Sequence, residues 1–204
     1  MIVVARVWWQ LESTNPLSNS NLIAEHHLPR SGIEQIVEGM PLPLGAHGLW
    51  LSEISIRRLL NRVHYTMYEA GSSTQPNAGL PSITVAVELL RQLDEWYEML
   101  PPDIKPALDQ EIQDVWPLQL PILLRFHSAR EVICRPFLLQ DCAGTNMDGS
   151  DHQVELADAC IQSAAKYLQT ANEYLRTSSA STEVVLQSYV LHNHFLASFL
   201  SFPT

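Results

Sequence analysis

The chain has 204 residues, 46% of them hydrophobic and 17% charged, so it is long enough and apolar enough to bury one substantial core. Twelve Lys and Arg against 22 Asp and Glu give a formal net charge of -10, a surface that repels the phosphate backbone of nucleic acid. A mean hydropathy of -0.02 argues for a folded protein and against a disordered tail.

Met1 to Val7 is apolar but short and runs into Trp8-Trp9, which fits neither a signal sequence nor a membrane span. Residues 2–11 predict a helix, Asn15 to Ser20 a polar break, and Leu22 to Leu28 a short helical turn. Pro29 to Gly48 is rich in proline and glycine and predicts an irregular loop. A helix begins near Trp50, with Leu51, Ile54, Ile56, Leu59, Leu60, Val63 and Met67 on one side and Gly71 as its stop. After a connection over Ser72 to Pro81, the Ser82 hydroxyl is placed to cap the next helix. Its apolar face is Ala86, Leu89, Leu90, Leu93, Trp96, Tyr97 and Leu100, and Pro101-Pro102 end it.

Pro106 to Asp114 is a short acidic lead-in to the segment Trp116 to Leu139. There Val115, Leu118, Ile122, Phe126, Ala129 and Ile133 recur at helical spacing, so one broad face can be buried. Pro117 and Pro121 belong to its entry or first turns, where a missing N–H costs less. Pro136 is deep in the pattern, lacks the N–H a helix interior needs, and predicts a stop or kink at Arg135-Pro136. Gln140 to Asp151 reads as a polar loop. A further helix carries Ala157, Cys160, Ile161, Ala164, Leu168, Ala171 and Leu175, and breaks at Thr177 to Ser181. Thr182 can cap a last one, in which Val185, Leu186, Val190, Leu191, Leu196, Phe199 and Leu200 are apolar. No period-two alternation is present, and the expected architecture is all-α, an irregular multi-helix bundle over residues 1–204.

Few side-chain constellations point to chemistry. The chain has no GxGxxG, no Gly-rich phosphate loop, no HExxH and no nucleophile elbow, so no catalytic residue is expected. Asp148-Gly149-Ser150-Asp151 lacks the alternating oxygen ligands and distal Glu of a calcium loop and reads as a turn. His26 and His27 point to different faces of any helix, and His192 and His194 lie about 200° apart around one, so neither pair chelates well. His127 reads as a hydrogen-bonded core or interface residue. Three cysteines without a CxxC pair cannot build a binuclear zinc cluster, and an odd count points to a reducing compartment. Cys134 and Cys160 read as small buried hydrophobes, Cys142 as an exposed loop thiol. Arg57, Arg58 and Arg62 form the one local basic cluster, expected on a solvated face with Glu53 as partner. Arg135 can donate to carbonyls at a helix end or pair with a carboxylate. Trp8, Trp9, Trp50, Trp96 and Trp116 are expected in the core or an interface, and Trp96, Tyr97 and Phe126 could line one pocket.

Phe126-His127-Ser128-Ala129 followed by Arg135-Pro136-Phe137-Leu138 resembles the signature of the middle homology region in fungal binuclear zinc cluster transcription factors. Other stretches resemble that region in the same order: Arg6-Val7-Trp8-Trp9, Leu28 to Ile33 with Met40-Pro41-Leu42-Pro43, Ile56 to His64, and Leu93 to Tyr97 with Leu100-Pro101-Pro102. Arg6, Trp8, Trp9, Trp96, Phe126, His127, Arg135, Pro136 and Phe137 are the positions that carry it.

The resemblance implies a regulatory domain of a sequence-specific transcription factor, acting in the nucleus, whose partners are other proteins or a small-molecule effector. DNA binding and zinc would belong to an N-terminal cluster that this chain lacks, so no cofactor, direct nucleic-acid contact or membrane contact is expected of it. On the same resemblance, the chain is expected to be cut at both ends. Apolar stripes around Val3-Val4 and Phe199-Leu200 would then favour self-association. The rival readings are a helical small-molecule carrier or enzyme, and a non-functional remnant of a regulator.

Overall fold

A computed structural model describes residues 48–69, 82–142 and 151–177. Within them the architecture is all-α, with four α-helices and no strand. Helix α1 spans Gly48–Val63 and passes without a break into a π-helical turn, His64–Glu69. Helix α2 is Ile83–Glu98, α3 is Leu120–Cys142 and α4 is Asp151–Thr177; a single 3-10 turn, Ile112–Asp114, lies between α2 and α3. Expectations for residues 1–47, for Gly71, for 143–150 and for the last helix fall outside the described residues, as do the side chains of Trp50 and Cys142.

Helix α2 forms where periodicity and punctuation agree. Ala86, Leu89, Leu93 and Tyr97 are buried, and Met99 closes the helix just before Pro101-Pro102. Ser82 is its N-cap residue, but the hydroxyl makes no capping bond; its contribution is the carbonyl, which accepts the Ala86 N–H at 3.1 Å. The Tyr97 hydroxyl donates to the Pro106 carbonyl and Lys105 lies 4.7 Å above the Tyr97 ring, which folds the segment after α2 back onto it.

Helix α3 is the spine. Ile122, Phe126, Ala129 and Ile133 are buried as expected, with Phe137 on the same face, but so are Leu123, Leu124, Val132, Cys134 and Leu138, which point elsewhere around the helix. A helix apolar on nearly every side belongs inside a bundle. One set of contacts faces α1, the π turn and α2, in a core that includes Leu60, Val63, Leu89, Leu93 and Tyr97. Another set, Leu124 with Tyr167 and Ala171, faces α4.

Helices α3 and α4 form an antiparallel pair. Gln140 meets Gln153, Glu131 meets Cys160 and Leu124 meets Tyr167, so numbers fall along one helix as they rise along the other. Small residues on α4 (Ala157, Cys160, Ala164 and Ala171) are buried along this seam, which favours close approach of the two backbones. Ser163 and Thr170 are buried there too, and they can be because each hydroxyl donates to the carbonyl four residues back, at 2.7 and 2.8 Å.

Several expectations are corrected. Trp116 is 58% exposed and Leu118 is exposed as well, since α3 starts only at Leu120 and both lie in the turn before it. Ile161 is exposed because the buried stripe of α4 runs through Cys160, Ser163, Ala164 and Tyr167 instead. Residues 140–142, expected in a loop, are the last turn of α3. Leu51 is at the rim of the core, not inside it.

Candidate functional site

The helix does not stop at Pro136. It continues through it to Cys142. A proline at 136 leaves the carbonyl of Val132, four residues earlier, without its helical donor. The Tyr68 hydroxyl supplies one, donating to the Val132 carbonyl at 2.6 Å. Tyr68 sits in the π-helical turn that follows α1, so the irregular turn places a phenol against the irregular point of α3. Burial of that hydroxyl pushes its pKa above the ordinary phenol value, which keeps it a donor at any physiological pH. The His64 ring lies 5.6 Å from the Tyr68 ring, one turn before it.

Beside this point is a buried ion pair. Glu131 is 0% and Arg135 2% exposed, and they meet through two parallel bonds of 2.7 Å each, Nε to Oε1 and Nη2 to Oε2. Of the two roles open to Arg135, it takes the carboxylate partner. The spacing is i,i+4 with the acid N-terminal, which suits a helix; the fork geometry matches guanidinium to carboxylate on both arms. The Cys160 thiol lies 3.7 Å from the Glu131 carbonyl oxygen, so α4 seals the pair. Burial pushes the Cys134 thiol up to about 12 and the Cys160 thiol higher still, aided for Cys160 by the Glu131 charge. Both are free and inert, as small buried hydrophobes are.

The other signature positions divide. Phe126 is buried with its ring centroid 5.3 Å from that of Tyr97, and Phe137 is buried in the same core. His127 is buried against the edge of Phe126, with ring centroids 5.4 Å apart. Trp96 turns away from Tyr97 and Phe126 to α1, where its Nε1 donates to the Ser52 carbonyl at 3.2 Å and to the Ser55 hydroxyl at 2.9 Å. The hollow that Trp96 lines is shared with α1, and neither Tyr97 nor Phe126 lines it. Arg6, Trp8 and Trp9 lie outside the described residues. Glu53 reaches across to Arg125 of α3 at 2.8 Å, and Arg62 donates to Gln92 of α2.

Burial, and secondarily the positive charges of Lys166 and Arg130, hold the His127 imidazole down at about 4, against an ordinary value of 6.5. The folded value is the lower one. Between the two values the unfolded chain therefore takes up a proton that the folded one refuses. Stability should fall as pH drops from about 6.5 towards about 4, by at most about 1.4 kcal/mol per pH unit. Urea midpoints at the two ends of that window should differ less in His127→Leu than in the parent. Equal pH dependence in the two proteins would contradict this placement of His127.

Two hollows remain. A polar one of about 450 Å3 lies between the 3-10 turn and α4, with Glu111 and Lys166 in its lining. An apolar one of about 350 Å3 lies between the start of α1 and the end of α2. Gly48 opens α1 there, 3.0 Å from the Pro101 ring when measured from where a Cβ would stand, so a larger residue would push the two elements apart. Among the described residues no group of three His, Cys, Asp or Glu is placed to hold a metal ion, and no helix is long and apolar enough to cross a membrane.

No known family, curated protein or solved structure matches this chain.

Sequence reasoning missed two partners at the spine. Glu131 carried a usable signal, four residues before Arg135 on one helix. Tyr68 carried none, because it comes from 64 residues earlier in the chain.

Proposed function

We propose that the chain is a regulatory domain of a fungal sequence-specific transcription factor, acting in the nucleus on transcription by RNA polymerase II. It responds to a protein partner or a small-molecule effector. DNA binding and zinc belong to a cysteine cluster elsewhere, and the chain itself is not an enzyme. The observation that carries the reading is the use of the signature residues. Arg135, Pro136, Phe126 and Phe137 lie on the central helix, and each is engaged in packing, in a buried pair or at a proline that a neighbouring phenol accommodates. Such residues specify a shape. An acidic chain, at -10, also suits a role held apart from DNA. The rival reading, a helical small-molecule carrier, draws its support from the apolar hollow between α1 and α2.

The test is a fusion in a fungal reporter strain. The chain is inserted between a heterologous DNA-binding domain and an activation domain, and output is compared with a flexible linker of equal length. A regulatory domain should change output several-fold, and Phe126→Ala, which loosens the bundle, should return it towards the linker value. Equal output from chain and linker would sink the proposal.

A further inference from the structure

The apolar groove between α1 and α2 has one guanidinium N–H in its lining that is buried without an acceptor. Its volume, about 350 Å3, falls within the range of small-ligand sites, about 300–1,000 Å3. Leu51, Ile54, Trp96, Met99 and Pro101 contribute its apolar lining, and Arg58 is the single charged residue among those that line it. The Arg58 Nε is enclosed yet meets no hydrogen-bond acceptor. A guanidinium N–H withdrawn from water without an acceptor is destabilising, and an arriving oxygen would relieve that. At the rim the side chain of Met99 is 84% exposed, an apolar group held in water. The Trp96 indole N–H is already committed to Ser52 and Ser55, so what it offers the groove is ring surface.

One kind of ligand answers both needs: an apolar body with a negative group at one end. The net charge of -10 works against a polyanion, so the head should carry a single charge. We propose that this groove binds an amphipathic monocarboxylate, its hydrocarbon tail against Trp96 and Met99 and its carboxylate on Arg58. Arginine suits the head group because its planar fork matches a carboxylate and holds its charge at every accessible pH. If the groove is the effector site, that role rests on the regulatory reading; binding by the purified chain does not.

Isothermal titration of the purified chain with decanoate, and with decanol as the uncharged tail, tests the proposal. Decanoate should bind saturably at one site, with decanol roughly tenfold weaker or more. Arg58→Gln should bring decanoate down to the level of decanol and leave decanol unchanged. Leu51→Asp, a change at the exposed rim that spares the core, should weaken decanoate further than decanol. Absence of saturable binding, equal affinities for acid and alcohol, or an unchanged preference in both variants would overturn it. Binding with no reporter response would refute only the regulatory reading, and a reporter response without binding would refute only the ligand.

Discussion

Replacing Glu131 with alanine should destabilise the protein by about 3–5 kcal/mol, because the buried Arg135 guanidinium would lose both of its bonds to that carboxylate. Both members of the pair are sealed between α3 and α4, so water cannot take the place of the lost partner. The pair itself need not be a net stabiliser, since desolvating two charges costs nearly what their attraction returns. Glu131→Met combined with Arg135→Met should therefore lie closer to the parent than Glu131→Ala alone. Urea denaturation of the three proteins measures this. A single-variant cost below about 1 kcal/mol would place the pair in contact with solvent.

Phe126→Ala should cost a similar amount, about 3–5 kcal/mol, by a different route: it removes an aromatic side chain from a packed core and leaves a cavity. The ring is buried against Tyr97 and joins α3 to α2. Gln162→Ala on the exposed face of α4 should stay within about 0.5 kcal/mol. Similar midpoints for the two variants would mean that the wrong side of α3 has been taken as core.

How far the sequence discloses this fold differs from helix to helix. Helix α2 is legible almost to the residue, because its apolar period, its Ser82 start and its Pro101-Pro102 end all agree. Helix α4 is legible as a helix, but its buried stripe is not. Reading apolar residues alone selects Ile161 and passes over Tyr167, and over Ser163 and Thr170, whose hydroxyls can be buried because the helix's own carbonyls accept from them. Helix α3 shows the limit of local rules. A proline signals a break, and the break is averted by a tyrosine from a distant helical turn. The candidate site is less legible still. Trp96 and Arg58 each stand out in the sequence, but only the packing of α1 on α2 brings them to one groove.

Helix α3 runs through Pro136 where the Tyr68 hydroxyl stands in for the missing donor. A double-mutant cycle with Tyr68→Phe and Pro136→Ala measures it directly. With Pro136 present, losing the phenol should leave the Val132 carbonyl unsatisfied and cost about 1–3 kcal/mol. With alanine at 136 the backbone N–H can meet that carbonyl itself, and the same loss should cost well under half as much. An equal cost in both backgrounds would mean that Tyr68 does not stand in for the proline's missing N–H, and the account of α3 would fail.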